Sequence, residues 1–376
     1  MLIGIDGRAL TGAMAGSGRY VSELCRALDQ CLPDARFLVF CNAPVSLPVH
    51  NSRWSLRTDK TIWGRRLSPF AWYLLRAGRL AQADGVSAFW GGANFLPLGL
   101  PRRIHAVLTV LDLVHRVMPQ SMSFKHRLAF GWFFRAGLRR ADVLVAISEG
   151  TSSRLSEFGY RRADLVVRPG VDAQFRPAAA AAISAMRDSL DVPGPYLLSV
   201  STLEPRKNLR GLIEAFMAMR RAGELPGIAL VLVGQAGWKN DALLAAVGEA
   251  RGLGVDIRLT GHVPDALLPA LYAGAEAVVM PSVYEGFGLP ILEARMCGAR
   301  VVASDMPETR EAGGPDVTYV APTVAGIQAG IRHALSLPSP QSVMSDRGVP
   351  RWDEEGFKLA RALTATHWGG RRENLH

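Results

Sequence analysis

The amino-acid sequence predicts an α/β protein that contains two open parallel sheets in tandem. Short apolar runs rich in β-branched residues alternate with longer stretches that suit helices, which is the pattern of β-α-β units. The alternation is interrupted after residue 170 and starts again at residue 196. A chain of 376 residues is also long enough for two domains, since a domain usually has roughly 100–200 residues.

The first half of the chain contains six apolar runs that suit strands and four stretches that suit helices. The predicted strands are 2–6, 37–41, 86–90, 105–110, 143–148 and 165–170. The predicted helices are 18–30, 68–82, 123–139 and 149–158. The last helix follows Ser148, a residue type that is typical of a helix N-terminus. These elements define a predicted first domain, residues 1–175.

The segment 171–188 is the predicted linker between the domains. It contains Pro177 and a run of alanines, and the turn-like sequence DVPGP follows at 191–195.

The second half repeats the pattern and gives a predicted second domain, residues 190–350. Its predicted strands are 196–200, 229–234, 256–261, 277–282, 300–305 and 317–322. Its predicted helices are 207–222, 239–251, 265–274, 289–297, 307–312 and 323–336. A final helix is predicted at 351–368, and we expect the segment 351–376 to pack back toward the first domain. Two such sheets would place a ligand in a cleft between the domains, outside the carboxyl ends of the strands.

The composition excludes several classes of protein. With 49% hydrophobic and 20% charged residues, the chain is globular rather than disordered. The cysteines form no CxxC pair and no histidines cluster at metal-ligand spacing, which argues against a zinc site and a disulfide scaffold. No signal peptide is visible, and apolar runs such as 228–234 are far shorter than the roughly 20 residues that span a bilayer. We therefore expect a soluble protein of a reducing compartment.

The positive charge is concentrated in the first half. Residues 1–180 contain 24 Lys and Arg against 12 Asp and Glu, whereas residues 181–376 contain 19 against 21. Such an excess favours an anionic partner, such as a phosphate, a membrane surface or a nucleic acid. The alternative is an Arg-rich surface that is simply solvated.

A glycine-rich run, GSGRY at 16–20, follows the first predicted strand and opens a helix. Gly16 and Gly18 would let the backbone approach a ligand, and helix N–H groups suit a phosphate or carboxylate. A dinucleotide fingerprint would need a third glycine where the chain has Val21, which disfavours a nicotinamide oxidoreductase. An ordinary strand-to-helix turn explains the glycines equally well.

A second run, LEPRKN at 203–208, follows the strand at 196–200 and starts a helix. It places Arg206 and Lys207 at a helix N-terminus, where acidic residues are normally favoured. Two cations at the end of a helix that already attracts anions indicate an anion site. A solvated Lys–Arg pair in a loop is the alternative.

A third run, SVYEGFGLPILE at 282–293, joins a strand to a helix through two glycines. Pro290 suits the first helical turn, and the N–H groups of Gly288 and Leu289 would point outward from the helix start. Glu285 precedes the helix and Glu293 lies one turn inside it, so the two carboxylates can address different parts of one ligand. Capping alone does not require this glycine pattern.

This third run resembles the E-x7-E motif of retaining nucleotide-sugar glycosyltransferases with the GT-B fold, which has two Rossmann-like domains and a cleft between them. More closely, the chain resembles family 4 glycosyltransferases (glycosyltransferase group 1) of bacterial polysaccharide assembly, many of them mannosyltransferases. The resemblance covers most of the chain, and its segments are 3–24, 108–120, 144–155, 166–172, 200–216, 259–314 and 351–355.

The resemblance implies a role for each matching position. Arg206 and Lys207 would neutralise the donor diphosphate as it leaves, Glu285 would hold the donor sugar and Glu293 the ribose. The remaining donor-binding positions are Gly16 and Gly18 from the first domain, His262 and Val263 at the nucleotide base, and Phe287, Gly288 and Leu289 at the sugar and phosphates.

This chain departs from the family pattern at a position that the resemblance places near the reacting carbon. Many relatives have VHDL where this chain has VLDL, so Leu111 replaces a histidine. His115 would be the substitute from a different backbone position, and a packing role is the alternative for it. Many relatives also have an arginine where this chain has Thr202, and Arg206 would serve instead.

The resemblance further implies the substrates, and a reaction without a cofactor or metal ion, in agreement with the lack of any Asp-x-Asp sequence. We expect a hexose, mannose or a deoxyhexose, to be transferred from a nucleotide sugar, with GDP-mannose favoured. The acceptor would be a polyprenyl-diphosphate-linked glycan in O-antigen or exopolysaccharide synthesis. Aromatic and basic residues stand close together at 63–66, 69–76 and 125–135, which favours reversible peripheral contact with the anionic inner face of the cytoplasmic membrane. The alternative for 68–82 is that the aromatic residues face the core and the arginines are exposed.

Two other functions are weighed against this one. A nucleotide-sugar-binding protein with impaired catalysis is suggested by Leu111. A nucleic-acid-binding protein is suggested by the sequence pI of about 9.9, but no recognition motif is present and the second half is slightly acidic, so no nucleic acid is expected as a partner.

Overall fold

The structure of the protein is a computed structural model that describes residues 1–11, 16–121, 124–237, 240–338 and 348–365. The chain forms two compact units. The first unit is Met1–Gly170 together with Pro350–His376, and the second is Val171–Val349. Each unit contains one sheet in which all neighbouring strands are parallel, which confirms the predicted α/β class.

The described residues of the first unit form a seven-stranded sheet. Its strands are β1 (Leu2–Asp6), β2 (Arg36–Phe40), β3 (Trp54–Arg57), β4 (Ala88–Gly91), β5 (His105–Val110), β6 (Val143–Ala146) and β7 (Leu165–Val166). They lie in the order β3-β2-β1-β4-β5-β6-β7. The accompanying helices are α1 (Gly16–Cys31), α2 (Ile62–Arg66), α3 (Pro69–Trp72), α4 (Gly78–Ala83), α5 (Val114–Val117), α6 (Phe124–Arg140) and α7 (Glu149–Glu157).

Several elements of the first unit differ from the prediction, and the short helices α2 and α5 were not predicted. The strand β3 was not predicted, because this four-residue edge strand buries little beyond Trp54 and has no apolar run. The predicted helix 68–82 is continuous but contains a π-helical stretch, Tyr73–Ala77, between α3 and α4. The predicted strand 165–170 is reduced to Leu165–Val166, and Pro169 has no N–H with which to extend the ladder.

The described residues of the second unit form a six-stranded sheet. Its strands are β8 (Tyr196–Val200), β9 (Ala229–Val233), β10 (Ile257–Gly261), β11 (Ala277–Met280), β12 (Val301–Ser304) and β13 (Thr318–Val320). They lie in the order β10-β9-β8-β11-β12-β13. The helices are α8 (Ala180–Leu190), α9 (Leu209–Arg221), α10 (Asp241–Gly252), α11 (Leu268–Ala273), α12 (Leu289–Met296), α13 (Pro307–Gly313) and α14 (Val324–Ser336).

The helix α8 corrects the prediction that 171–188 is an irregular linker. Alanine is the best helix former, so the alanine run becomes a helix once the chain has passed Pro177. Met186 is buried on its inner side.

The last described helix, α15 (Trp352–Thr364), belongs to the first unit and packs along α1. The two helices approach closely at Gly356, where a Cβ atom would lie 2.3 Å from the Cβ of Ala27. The carboxylate of Glu355 also accepts a hydrogen bond of 2.9 Å from the backbone N–H of Arg168. The predicted helix extends to residue 368, and residues 366–376 lie outside the described residues.

In both sheets the strand order reverses at one point, between β1 and β4 in the first unit and between β8 and β11 in the second. Open α/β sheets bind their ligands at such points, outside the carboxyl ends of the strands. A ligand site is therefore expected in the loops that follow these four strands. No helix in the described parts of the chain is long and apolar enough to cross a membrane.

Candidate functional site

Charged residues from two loops meet where the strand order of the second sheet reverses. Lys207 lies in the loop after β8, and Glu285 lies in the loop after β11. The Nζ atom of Lys207 donates a hydrogen bond of 2.6 Å to Oε1 of Glu285. Arg206 donates one of 3.0 Å from Nη1 to Oε2 of the same carboxylate. Lys207 and Arg206 precede Glu285 by 78 and 79 residues in the chain, and the three side chains form one ion-pair network.

The carboxylate of Glu285 is buried and ionised. The residue is only 5% exposed, and the hydroxyl of Ser282 also donates to Oε1 at 2.7 Å. Burial alone would raise the pKa of Glu285, but the charges of Lys207 and Arg206 outweigh it and lower this pKa to about 2. Glu285 is therefore an acceptor of hydrogen bonds across the physiological pH range.

The two cations are balanced by two carboxylates. Lys207 is 8% exposed, and burial lowers its pKa in spite of the attraction of Glu285. Arg206 also forms an ion pair with Glu204 through Nε. We call Glu204, Arg206, Lys207 and Glu285 the charge cluster. Its formal charges sum to zero, which makes its burial tolerable.

Asn208 holds the loops of the charge cluster together. Its Nδ2 atom donates to the carbonyl oxygens of Pro281 and Pro322, at 3.1 and 2.9 Å. The residue has a left-handed backbone with φ 54°, which asparagine tolerates better than most residue types. Asn208 therefore links the loop after β8 to the loops after β11 and β13.

The N-terminus of α12 borders the same loop. Gly288 is its N-cap with φ 110°, a conformation that favours glycine, and Pro290 occupies the first turn as predicted. A Cβ on Gly288 would lie 3.0 Å from Cδ1 of Ile291. Phe287 is buried and Leu289 is partly exposed.

The other predicted donor-binding residues of the second unit lie further from the charge cluster in the chain. Glu293 is buried in α12, and its Oε2 accepts a hydrogen bond of 2.9 Å from the hydroxyl of Tyr272. His262 and Val263 follow β10, the edge strand, and only His262 is exposed. All of these residues follow or flank the carboxyl edge of the second sheet.

In the first unit, Gly16 and Gly18 lie in the first turn of α1. Gly16 is exposed with open space where a Cβ would lie, and Gly18 is buried. The residues 12–15 that precede them lie outside the described part of the chain.

His115 is placed in the aromatic core of the first unit. Its ring centroid lies 4.7 Å from that of Phe130 and 4.8 Å from that of Phe134, and the residue is 2% exposed. Neither ring nitrogen has a hydrogen-bond partner among the described residues. Burial, and then the charges of Arg116 and Arg135, lower the pKa of His115 to about 4. A neutral ring with no face open to a ligand favours the packing alternative, so we assign His115 no chemical role.

Leu111, which the resemblance places where many relatives have a histidine, is also mostly buried. Its backbone N–H donates a hydrogen bond of 2.7 Å to Oδ1 of Asn94 in the loop after β4. An apolar side chain at this position cannot hydrogen-bond a ligand.

Sequence reasoning missed three polar residues of the site: Glu204, Ser282 and Asn208. Each acts through a hydrogen bond or an ion pair that the fold creates. The only local signal was an asparagine directly before a helix, which suits a left-handed turn. Within the described residues, no group of three His, Cys, Asp or Glu side chains could hold a metal ion.

Two family models match the chain, one on each half. Residues 14–175 match "Glycosyltransferase Family 4", and residues 186–349 match "Glycosyl transferases group 1".

Similar proteins are found both in sequence and in structure. The O-antigen chain mannosyltransferase B of Escherichia coli is 32% identical over 286 residues, which are 74% of each chain. A GDP-mannose-dependent alpha-(1-6)-phosphatidylinositol monomannoside mannosyltransferase of Mycolicibacterium smegmatis is 30% identical over 274 residues, 66% of this chain and 69% of that one. Sucrose-phosphate synthase of Thermosynechococcus elongatus has the same fold, with a TM-score of 0.70 over 96% of this chain and 94% of that one at 19% identity. The predicted GT-B fold is thereby confirmed.

Proposed function

Because the chain belongs to the family 4, or group 1, glycosyltransferases, we propose that it is a retaining, metal-independent hexosyltransferase that uses GDP-mannose. It would add mannose to a glycan acceptor during the synthesis of a surface polysaccharide. The names of two relatives support the sugar, and one of these names also supports the donor. The observation that carries the proposal is the charge cluster at the reversal point of the second sheet, with Lys207 and Glu285 at its centre.

The cations of the cluster suit the leaving group of such a reaction. As the bond from the sugar to the diphosphate breaks, negative charge accumulates on the phosphate oxygens. Lys207 and Arg206 are held in place to stabilise that charge, and the N-terminus of α12 adds partial positive charge through its backbone N–H groups.

The low pKa of Glu285 suits binding rather than proton transfer. A carboxylate with a pKa of about 2 is a poor base at neutral pH, and it is not protonated to act as an acid. It would instead accept hydrogen bonds from the hydroxyls of the donor sugar, while Glu293 holds the ribose. The departing phosphate would then deprotonate the acceptor hydroxyl on the same face of the sugar, which retains the anomeric configuration and requires no metal ion.

The acceptor would be a polyprenyl-diphosphate-linked glycan, reached by peripheral contact with the inner face of the cytoplasmic membrane. This part of the proposal is supported by α6, where Leu128 and Trp132 are exposed four residues apart and therefore on one face. Arg127 and Arg135 are exposed on the same helix. Apolar and basic side chains together favour an anionic lipid surface.

Vesicle sedimentation tests the membrane contact. We expect the protein to sediment with vesicles that contain phosphatidylglycerol and to be released by salt, and Trp132→Ala to weaken binding. Phe357→Ala, which removes an exposed aromatic ring from α15, is the control. Equal sedimentation with purely zwitterionic vesicles would refute this contact.

The main experiment measures nucleoside diphosphate release from GDP-, UDP- and TDP-sugars with and without a mannosyl acceptor. We expect GDP-mannose to be used, and Lys207→Ala to abolish turnover. The matched control is Lys358→Ala, because Lys358 also forms a 2.6 Å ion pair, with Glu355 on α15. A deoxyhexose donor would change the sugar assignment, and no turnover of any donor would refute the transferase. The anomeric configuration of the product, observed by NMR with EDTA present, tests retention and metal independence.

A second candidate function is a nucleotide-sugar-binding protein without turnover. Leu111 favours it, since this apolar side chain replaces the histidine that relatives carry beside the reacting carbon. Donor binding by calorimetry without turnover would support this alternative, and Leu111→His would then restore activity.

A further inference from the structure

A buried tyrosine joins two helices of the second unit through a carboxylate. Tyr272 lies in the last turn of α11 and is fully buried. Its hydroxyl donates a hydrogen bond of 2.9 Å to Oε2 of Glu293, which lies in α12 and is 2% exposed. A buried hydroxyl needs a partner, but a carboxylate is a costly one, because its charge is then also removed from water. A role beyond packing is therefore indicated for this bond.

A second buried tyrosine in the same region has an ordinary partner instead. Tyr196, at the start of β8, donates a hydrogen bond of 2.8 Å to the carbonyl oxygen of Leu271, the residue directly before Tyr272. Backbone groups are the usual partners of buried side-chain donors. The two hydroxyls are thus equally buried, but Tyr196 holds the backbone of α11, whereas Tyr272 holds a charged side chain of α12.

The ring of Tyr272 is held firmly on α11. The ring of Phe175 packs against it, with the two centroids 6.2 Å apart, and Phe175 is itself buried. The end of the helix is also closely packed, since a Cβ on Gly274 would lie 2.8 Å from Cγ2 of Ile183 and 2.9 Å from the hydroxyl oxygen of Tyr196. A donor on this helix is therefore fixed, and it restricts the rotamers of the carboxylate that it holds.

The chain connects Tyr272 to the loop that is assigned to the nucleotide base. His262 and Val263 follow β10, and α11 begins five residues later at Leu268. Tyr272 thus lies on the helix that continues from the base loop, and Glu293 lies on the helix that continues from the loop of Glu285. The hydrogen bond ties these two parts of the proposed donor site together.

We propose that Tyr272 is a positioning residue for the nucleoside of the donor. Its hydroxyl holds the carboxylate of Glu293 in the orientation that accepts hydrogen bonds from the ribose hydroxyls. This proposal rests on the proposed function, which assigns the ribose to Glu293, and it names the residue that makes this recognition precise. An ionised carboxylate has about four acceptor sites, so ribose hydroxyls are accepted beside the bond from Tyr272. A binding residue depends on such supporting bonds for its geometry.

The test compares the dissociation constants of GDP and 2′,3′-dideoxy-GDP by calorimetry. The second nucleotide lacks both ribose hydroxyls and is otherwise identical. We expect the wild type to bind GDP about tenfold more tightly, because hydrogen bonds to a charged group are lost with the dideoxy nucleotide. In Tyr272→Phe this ratio should fall to about threefold, with only GDP binding weakened. The corresponding pair of uridine nucleotides is measured in parallel.

Tyr196→Phe is the matched control, because it removes a buried hydroxyl that is bonded to α11 but not to Glu293. It should leave the ratio unchanged. A merely structural role of Tyr272 would weaken the binding of both nucleotides equally. An unchanged ratio in Tyr272→Phe, or an equal fall of the ratio in Tyr196→Phe, would therefore overturn the proposal.

Glu293→Gln separates this proposal from the proposed function. The variant keeps the size of the side chain but removes its charge, so it should lose most of the preference for GDP. If the ratio is unchanged in Glu293→Gln, or if the wild type binds neither GDP nor UDP, the donor site of the proposed function fails and the role of Tyr272 fails with it. If the ratio falls in Glu293→Gln but not in Tyr272→Phe, only the role of Tyr272 fails. If no donor is turned over but the preference depends on Tyr272, the transferase fails and the role of Tyr272 stands.

Discussion

Replacement of Lys207 by Met should destabilise the second unit strongly, because it leaves a buried carboxylate without its nearest cation. Nζ of Lys207 and Oε1 of Glu285 are 2.6 Å apart, and both residues are buried. Removal of one partner of a buried pair costs about 3–5 kcal/mol. The pKa of Glu285 gives a second estimate. It lies at about 2 against an ordinary 4.5, which corresponds to about 3 kcal/mol of unfolding free energy at neutral pH.

The assay is urea denaturation at pH 7 of a double-mutant cycle. We expect Lys207→Met and Glu285→Gln each to lower the free energy of unfolding by about 3 kcal/mol. The double variant should lose much less than the sum, because no uncompensated charge remains from that pair. The control is Arg332→Met, in which an equally short but exposed ion pair with Glu224 is broken, and it should cost much less. Equal losses in Lys207→Met and Arg332→Met, or additive effects in the double variant, would refute this reasoning.

Three further predictions concern single residues. The folded pKa of His115, about 4, lies below its ordinary 6.5, so its neutral ring contributes stability above pH 6.5 that is lost as the pH falls toward 4. In urea denaturation, the free energy of unfolding should therefore fall about 2 kcal/mol less between pH 7 and pH 5 in His115→Leu than in the wild type. The kcat of this variant should be unchanged, and a large fall in kcat would restore a catalytic role for His115. Asn208→Gly keeps the left-handed backbone but loses both ties to the neighbouring loops, so the donor KM should rise, whereas Asp191→Gly, an exposed left-handed position, should leave it unchanged. Gly288→Ala should cost about 1–3 kcal/mol in thermal denaturation because alanine is strained at φ 110°, and an unchanged melting temperature would contradict this.

Most of the second sheet could be predicted because its central strands are uninterrupted apolar runs. The strand β9, for example, is buried at every position, and its residues are β-branched, Leu or Ala. The edge strand β3 lacks such a run, since neighbours cover only one side of an edge strand and leave it few buried positions. The helix α8 was not predicted because Pro177 shortly before it favours a loop. The alanines that follow this proline nevertheless favour a helix.

The charged residues of the site could be predicted for a topological reason. Lys207 and Glu285 each follow a strand directly, and β8 and β11 are neighbours in the sheet, so their loops meet. The roles of Ser282 and Asn208 could not be predicted, because their hydrogen bonds join segments that only the folded chain brings together. For His115 the sequence left a catalytic role and a packing role open, and its aromatic neighbours favour the packing role.

The neutrality of the charge cluster has a consequence for catalysis that Glu285→Gln can test. If the charge cluster binds the donor as proposed, the carboxylate of Glu285 competes with the diphosphate for Lys207 and Arg206 in the resting protein. The leaving nucleoside diphosphate carries more negative charge than the intact donor, so it would gain more from the cations, and this difference would favour bond cleavage. Without the carboxylate charge, GDP should bind about tenfold more tightly, the ratio that corresponds to 1.4 kcal/mol.

Turnover of the same variant should fall, because the donor sugar would lose its proposed hydrogen-bond acceptor and the product would leave more slowly. Calorimetry with GDP and single-turnover kinetics measure the two effects separately. Glu224→Gln is the control, since Glu224 pairs with Arg332 elsewhere in the second unit. If GDP bound Glu285→Gln no more tightly than the wild type, Glu285 would not be competing with the diphosphate, and its role would be confined to holding the sugar and the cations in place.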